Sequence, residues 1–331
     1  MRTDRSAFLL ALFAVCCLAL SIWLSPGSLI PLGILDASLT SDNPLTRATA
    51  HLEIKLAKVT LMSLGVIGIV AAVAYPLLTK MTTYRRFISR PDPFPNYSEH
   101  VRKFKTFSSF FTGLSIFLGV LYIKFGNDLF SSRTLTWINL EDGLLETLSA
   151  VILLIAAVVA LIVAVRLRRT GYTGYRWMHG FLALLFFAMA GEEISWGQRY
   201  IGFETAAVFQ ELNVQNETNV HNMFGYIADH MFVLLVFVWG CIVPFVYVHF
   251  RFFRQVLTSL GLPIPCAGLA VGMLLITLMQ EQITNPLLGQ VYNLRVPELR
   301  EFLSAIAFLF LMLDSFRFLR PRRSEAVAAA G

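Results

Sequence analysis

Apolar residues fall into eight runs, at about 7–24, 56–78, 106–125, 144–165, 177–195, 230–250, 265–284 and 301–319. A bilayer core about 30 Å thick is crossed by roughly 20 apolar residues in a helix. Backbone groups cannot stay unpaired in lipid, so each run is expected to be helical. The alternation that barrel strands need is absent. Polar and loop-forming residues separate the runs. The segment 25–55 carries Pro26, Gly27, Pro31, Gly33 and Pro44, and 79–105 contains the stiff spacer Pro91-Asp92-Pro93-Phe94-Pro95. Gly268 and Gly272 form a GxxxG on the seventh run, which permits close helix approach. The expected fold class is an all-α integral membrane protein, a polytopic bundle of about eight transmembrane helices, with residues 1–331 forming one transmembrane domain.

Composition supports the membrane class. The chain is 56% apolar and only 15% charged, with a mean hydropathy of +0.65. Soluble domains are about 45–50% apolar and about 25% charged. Those figures exclude disorder and a disulfide-stapled secreted scaffold. The net charge of +6 does not imply nucleic acid, because the basic residues form short clusters between apolar runs rather than a solvated face. They orient the bundle instead. With a cytoplasmic N-terminus, the inner segments hold Arg2 and Arg5, the Lys80–Lys105 group, Arg166–Arg176, Arg251 and Arg254, and Arg317–Arg323, which is most of the 27 Lys and Arg. An even number of spans returns the basic tail to the same side, so both termini are expected to be cytoplasmic and the membrane a bacterial inner one. The apolar run after Met1–Arg5 continues to Leu24 with no cleavage site, as a retained anchor does. Cys16, Cys17, Cys241 and Cys266 lie in or beside apolar runs without metal-ligand spacing and read as small core residues.

Most of the acids fall on the opposite, outer side. The informative stretch is Gly191–Asn222, GEEISWGQRYIGFETAAVFQELNVQNETNVHN, an outer-face loop rich in polar groups. If the helix of the fifth run continues, Glu192, Ser195, Trp196 and Arg199 share a face, while Glu193 points elsewhere. Ionisable groups at membrane depth are expensive and face a cavity or a partner. Glu192, Glu193, Glu217 and His221 are the candidate catalytic residues, as acid, base or orienter. Trp196, Gln198, Arg199, Asn213, Asn216, Asn222, Glu146 and Glu281 are candidates for binding substrate, Arg199 toward a phosphate. Glu193, Glu217 and His221 are also the candidate ligands if a divalent metal is the cofactor. Asp229, His230, Gln280, Gln282 and Asn285 add polar groups at the same depth, whereas Asp314 with Arg317 at i+3 reads as an inner structural pair.

GEEISWGQR followed by LNVQNETNVHN resembles the signature region of an uncharacterised family of bacterial multi-spanning membrane proteins. The resemblance covers roughly residues 186–226 and implies where a site lies, with no activity attached. Site chemistry alone leads to an expected membrane-embedded enzyme. Its outward carboxylate/Asn/His site would hydrolyse, or transfer a group to or from, a membrane lipid or a lipid-linked sugar or phosphate substrate. Two other readings stand beside it. One is a proton- or cation-coupled transporter relaying through Glu146, Glu193 and Glu281. The other is an assembly subunit whose polar loop docks a periplasmic protein partner.

Overall fold

The computed structural model describes residues 2–32, 39–42, 44–140, 143–202 and 226–320. Every element among them is helical, and no strand occurs among the described residues. Five helical stretches are long and apolar enough to cross a membrane: Ser6–Trp23, Ala50–Leu78, Phe107–Leu129, Ser132–Arg166 and Asp229–His249. The chain divides into two compact units, Met1–Arg90 and Pro91–Gly331. The division falls at the proline spacer, where a fixed φ and missing N–H groups stop helix propagation.

In the first unit, α1 (Arg2–Trp23) and α2 (Pro44–Leu78) pack along one another, followed by the short α3 (Thr82–Ile88). Lipid tails are as apolar as leucine, so membrane helices are held by close packing more than by escape from water. Small residues make that packing possible here. A Cβ at Gly65 would sit 2.6 Å from Leu18 Cγ, and one at Gly68 would sit 2.9 Å from Ala14 Cβ. Val66, Ile67, Val70 and Val73 on α2 are more than half exposed, an apolar surface that lipid tolerates and water does not.

The second unit holds α4 (Pro95–Val101), α5 (Phe107–Leu129), α6 (Ser132–Asn139), α7 (Leu144–Arg166) and α8 (Thr173–Glu193). Next comes α9 (Tyr226–Phe237), which runs through a π-helical turn at Val238–Ile242 into α10 (Val243–His249). The chain ends with α11 (Arg251–Leu260), α12 (Ala267–Thr277), α13 (Glu281–Leu288) and α14 (Val296–Phe318). Helix α7 packs against both α8 and α14, and α5 against α12 and α14. Phe186, Trp239 and Phe308 meet at the centre, and Trp239 donates its indole N–H to the Pro263 carbonyl at 2.8 Å.

Three of the runs differ from the sequence pattern. Helices α8 and α14 have spanning length but carry ionisable residues, among them Arg176 and His179 in one and Glu298, Arg300, Glu301 and Asp314 in the other. The run at 265–284 is not one helix. It is the short α12, a non-helical Leu278–Gln280, and then α13. Its GxxxG does what the spacing suggests. A Cβ at Gly268 would lie 2.1 Å from the Phe104 carbonyl oxygen, and one at Gly272 would lie 2.9 Å from Thr112 Cγ2, so α12 lies close against the backbone that leads into α5 and against the Thr112 side chain on it. At the other end of the sixth run, Arg254 donates to the Tyr247 and Val248 carbonyls at 3.0 and 2.9 Å, satisfying helix-terminal acceptors.

Candidate functional site

The GEEISWG sequence ends a helix and folds back on it. Helix α8 stops at Glu193, and Ser195, Trp196 and Gly197 follow with φ of 46°, 54° and 76°. Gly197 takes the left-handed region freely, while a serine and a tryptophan there carry of order 1–3 kcal/mol of strain each. Surrounding contacts hold the turn in place. The Trp196 indole lies against Gly191, where a Cβ would be 2.8 Å from the ring, and it packs edge-on to Phe187. Its N–H donates to Glu192 Oε1 at 2.8 Å. Glu192 is thus turned toward the tryptophan. The continuous helical face through Ser195 and Arg199 does not form, because the left-handed turn intervenes.

Glu193 points into the other half of the site. It lies within electrostatic reach of Glu301, Glu298 and Glu146, and Glu301 in turn of Arg300, Asp229 and Arg295. These groups come from the ends of four helices: the last residue of α8, the first turns of α7 and α9, and the N-cap and first two turns of α14. A helix N-terminus favours an anion, which accounts for Glu146, Asp229 and Glu298. Glu193 gains nothing of the kind at a helix C-terminus, so its place beside three other carboxylates needs another reason. Arg295 stands 3.5 Å from Glu298 at the rim, and Arg300 is the buried cation among them. It is 1% exposed, pairs with Asp229, and donates from Nη1 to Gln280 Oε1 at 3.1 Å. Its Nε is buried and has no hydrogen-bond partner among the described residues.

A groove of about 540 Å³ runs between α7 and α8. Thr147, Ala150, Val151 and Leu154 line one side, and Phe187, Ala190, Gly191, Ile194 and Trp196 the other. Val151, Leu154, Phe187 and Trp196 are each close to half exposed. Its mouth is flanked in sequence by Glu146 on one helix and Glu192–Glu193 on the other. A second hollow of about 560 Å³ lies near Asn127 and Tyr292. Its asparagines are engaged in structure: Asn127 bonds the Gln290 carbonyl and the Tyr292 N–H, and Asn293 donates to Thr136 Oγ1 at 3.2 Å.

Among the residues singled out from sequence, the structure brings Glu146 and Glu193 together and sets Trp196 on Glu192. Gln198 opens a four-residue helical turn, Gln198–Ile201, and Glu281 is exposed at the start of α13. Asn213, Asn216, Glu217, His221 and Asn222 lie outside the described residues, as does the side chain of Arg199. Arg300, Glu298 and Glu301 were missed. The signal was a cation between two acids, PELRE, where the last apolar run begins. Asp314 does not pair with Arg317. It meets His100 and Ser108 at 2.8 Å, and Arg317 lies over the Phe318 ring. No protein-family model, curated protein or solved structure matches the chain.

Proposed function

We propose that this protein is a membrane-embedded enzyme whose carboxylate site acts on a lipid or lipid-linked saccharide by hydrolysis or group transfer. The observation that carries the reading is an apolar groove whose lining residues on α7 and α8 are preceded directly in sequence by two members of a carboxylate cluster. The groove between α7 and α8 has room for part of an acyl or prenyl chain, and Glu146 and Glu193 adjoin its lining residues Thr147 and Ile194 along the chain. A lipid entering sideways brings its headgroup linkage to that level without leaving the bilayer. Glu193 and a neighbouring carboxyl would then divide general-acid and general-base roles. The buried, incompletely satisfied Arg300 is suited to hold an anionic headgroup and supplements Arg199. The strained Trp196 turn forms one wall, and strain of this kind concentrates at functional sites.

The same proposal carries the topology: eight spans, both termini in the cytoplasm, the Glu193 end facing outward, and a bacterial inner membrane. The positive-inside distribution of Lys and Arg supports it. Purification with native lipids, followed by mass spectrometry of what co-purifies, tests the function. A bound lipid or lipid-linked sugar, lost in Glu193→Gln, is the expected result. Proton-driven uptake in liposomes that Glu281→Gln abolishes, with no bound lipid, would replace the enzyme by a transporter.

A further inference from the structure

At the opposite end of the second unit, three residues from three elements converge without any part in the groove. They are His100 on α4, Cys266 at the head of α12, and Asp314 on α14. Asp314 lies 14 residues along α14 from Arg300, about 21 Å at 1.5 Å per residue. One ligand atom from each of the three lies within 4.8 Å of the others, and they are only 5%, 0% and 6% exposed. From this geometry we infer a binding site for a zinc-class divalent transition metal, held by His100 Nε2, Cys266 Sγ and an Asp314 carboxylate oxygen.

Four observations carry the assignment. First, His100 Nε2 is 2.8 Å from Asp314 Oδ2, yet it is buried and makes no hydrogen bond to any described residue. The nitrogen is in contact with the carboxylate without being aimed at it. Second, ligands of a tetrahedral zinc stand about 3.3–3.7 Å apart, given bonds of about 2.0–2.3 Å. Side-chain shifts of an ångström or so close the set. Third, the ligands are already oriented. Ser108 donates to Asp314 Oδ2 at 2.8 Å, and the His100 ring stacks on Phe318 with centroids 4.2 Å apart. Such supporting contacts fix metal ligands. Fourth, the donor set is one nitrogen, one sulfur and one oxygen. That suits zinc-class ions and not calcium or magnesium, which take oxygen throughout. The Thr106 and Ser109 hydroxyls lie 3.1 and 3.4 Å from Sγ and can complete the shell or hold a water that does.

Burial of all three ligands makes the role structural. The ion would clasp the segment that leads into α5 to the head of α12 and the C-terminal end of α14. A proton competes for the same place. Burial disfavours a charged His100, but Asp314 and Cys266 outweigh it and hold the imidazole up to about 9, so an ion pair alone is the rival account.

The test uses two samples of tag-free, metal-free, full-length protein in detergent, one supplied with Zn²⁺ and the other titrated with Co²⁺. Expected are close to one zinc per chain after gel filtration in metal-scrubbed buffer, and a thiolate-to-cobalt charge-transfer absorption at micromolar Co²⁺. That absorption disappears in Cys266→Ser and survives replacement of Cys16, Cys17 and Cys241 by serine. Retained zinc falls at least tenfold in His100→Gln. A monodisperse wild-type protein with no such absorption and no retained zinc leaves only the ion pair and overturns the assignment, independently of how the variants fold. So does an absorption that follows the other cysteines.

Discussion

Trp196 shows how a few contacts hold a costly backbone. Its ring needs the bare Cα of Gly191 beneath it and the Glu192 carboxylate beside it. A methyl at position 191 would sit within 2.9 Å of several ring atoms. Gly191→Ala is therefore expected to destabilise the protein by about 1–3 kcal/mol, the usual cost of overpacking. The penalty should shrink in a Trp196→Ala background, and a double-mutant thermal-unfolding cycle measures that coupling. Equal penalties in both backgrounds would mean the ring does not rest on Gly191. Arg300 gives a second case. Removing it as Arg300→Met leaves the partly exposed Asp229 without its cation, at a cost of about 2 kcal/mol. Asp229→Asn in the same background should recover most of the lost melting temperature, whereas Arg300→Lys should not, because an ammonium cannot span both Asp229 and Gln280. Full rescue by lysine would show that charge alone matters there.

At the scale of elements, glycines separate contact from propensity. Gly268 and Gly113 are both helical, but a Cβ at Gly268 would meet the Phe104 carbonyl at 2.1 Å, and one at Gly113 would meet nothing within 4 Å. Gly268→Ala is expected to force α12 away from the Phe104 backbone and from Ser109 at the start of α5, and to lower stability by about 1 kcal/mol or more. Gly113→Ala should leave stability unchanged or raise it by up to about 1 kcal/mol through helix propensity. A matched pair of unfolding curves decides, and similar effects from both would remove the close α5–α12 contact. The GxxxG was legible because its spacing repeats one face of a helix. The break at Leu278–Gln280 was not legible, since its residues remain apolar enough to extend the run. Nor was the turn at Ser195–Gly197, because only Gly197 announces a left-handed conformation, while Ser195 and Trp196 adopt one through their contacts.

For the whole molecule, hydropathy made the all-helical class and most run positions legible. The gathering of helix ends was harder to read. Glu146 and Glu193 stood out as carboxylates at the edges of apolar runs. Arg300, Glu298 and Glu301 lie at the edge of the last run and looked like ordinary flanking charge until α14 was placed beside α7. His100 escaped notice because its partners Cys266 and Asp314 are more than 160 positions away along the chain, beyond the reach of any local pattern. The proposed orientation has its own test in a background without native cysteines. Gln290→Cys should react with an impermeant maleimide on intact spheroplasts, and Arg86→Cys only after lysis. The reverse order would invert the bundle and place the Glu193 end in the cytoplasm.

The central claim is that the carboxylate cluster does chemistry on a lipid. Its most direct measurement is a time course of lipid composition by mass spectrometry, with purified protein in nanodiscs made from a bacterial lipid extract. The account predicts that the wild-type protein consumes one lipid class with matching product formation, and that Glu193→Gln, folded and equally abundant, does so at least 100-fold more slowly. An unchanged lipid profile with wild-type protein, or equal turnover by Glu193→Gln, would contradict it.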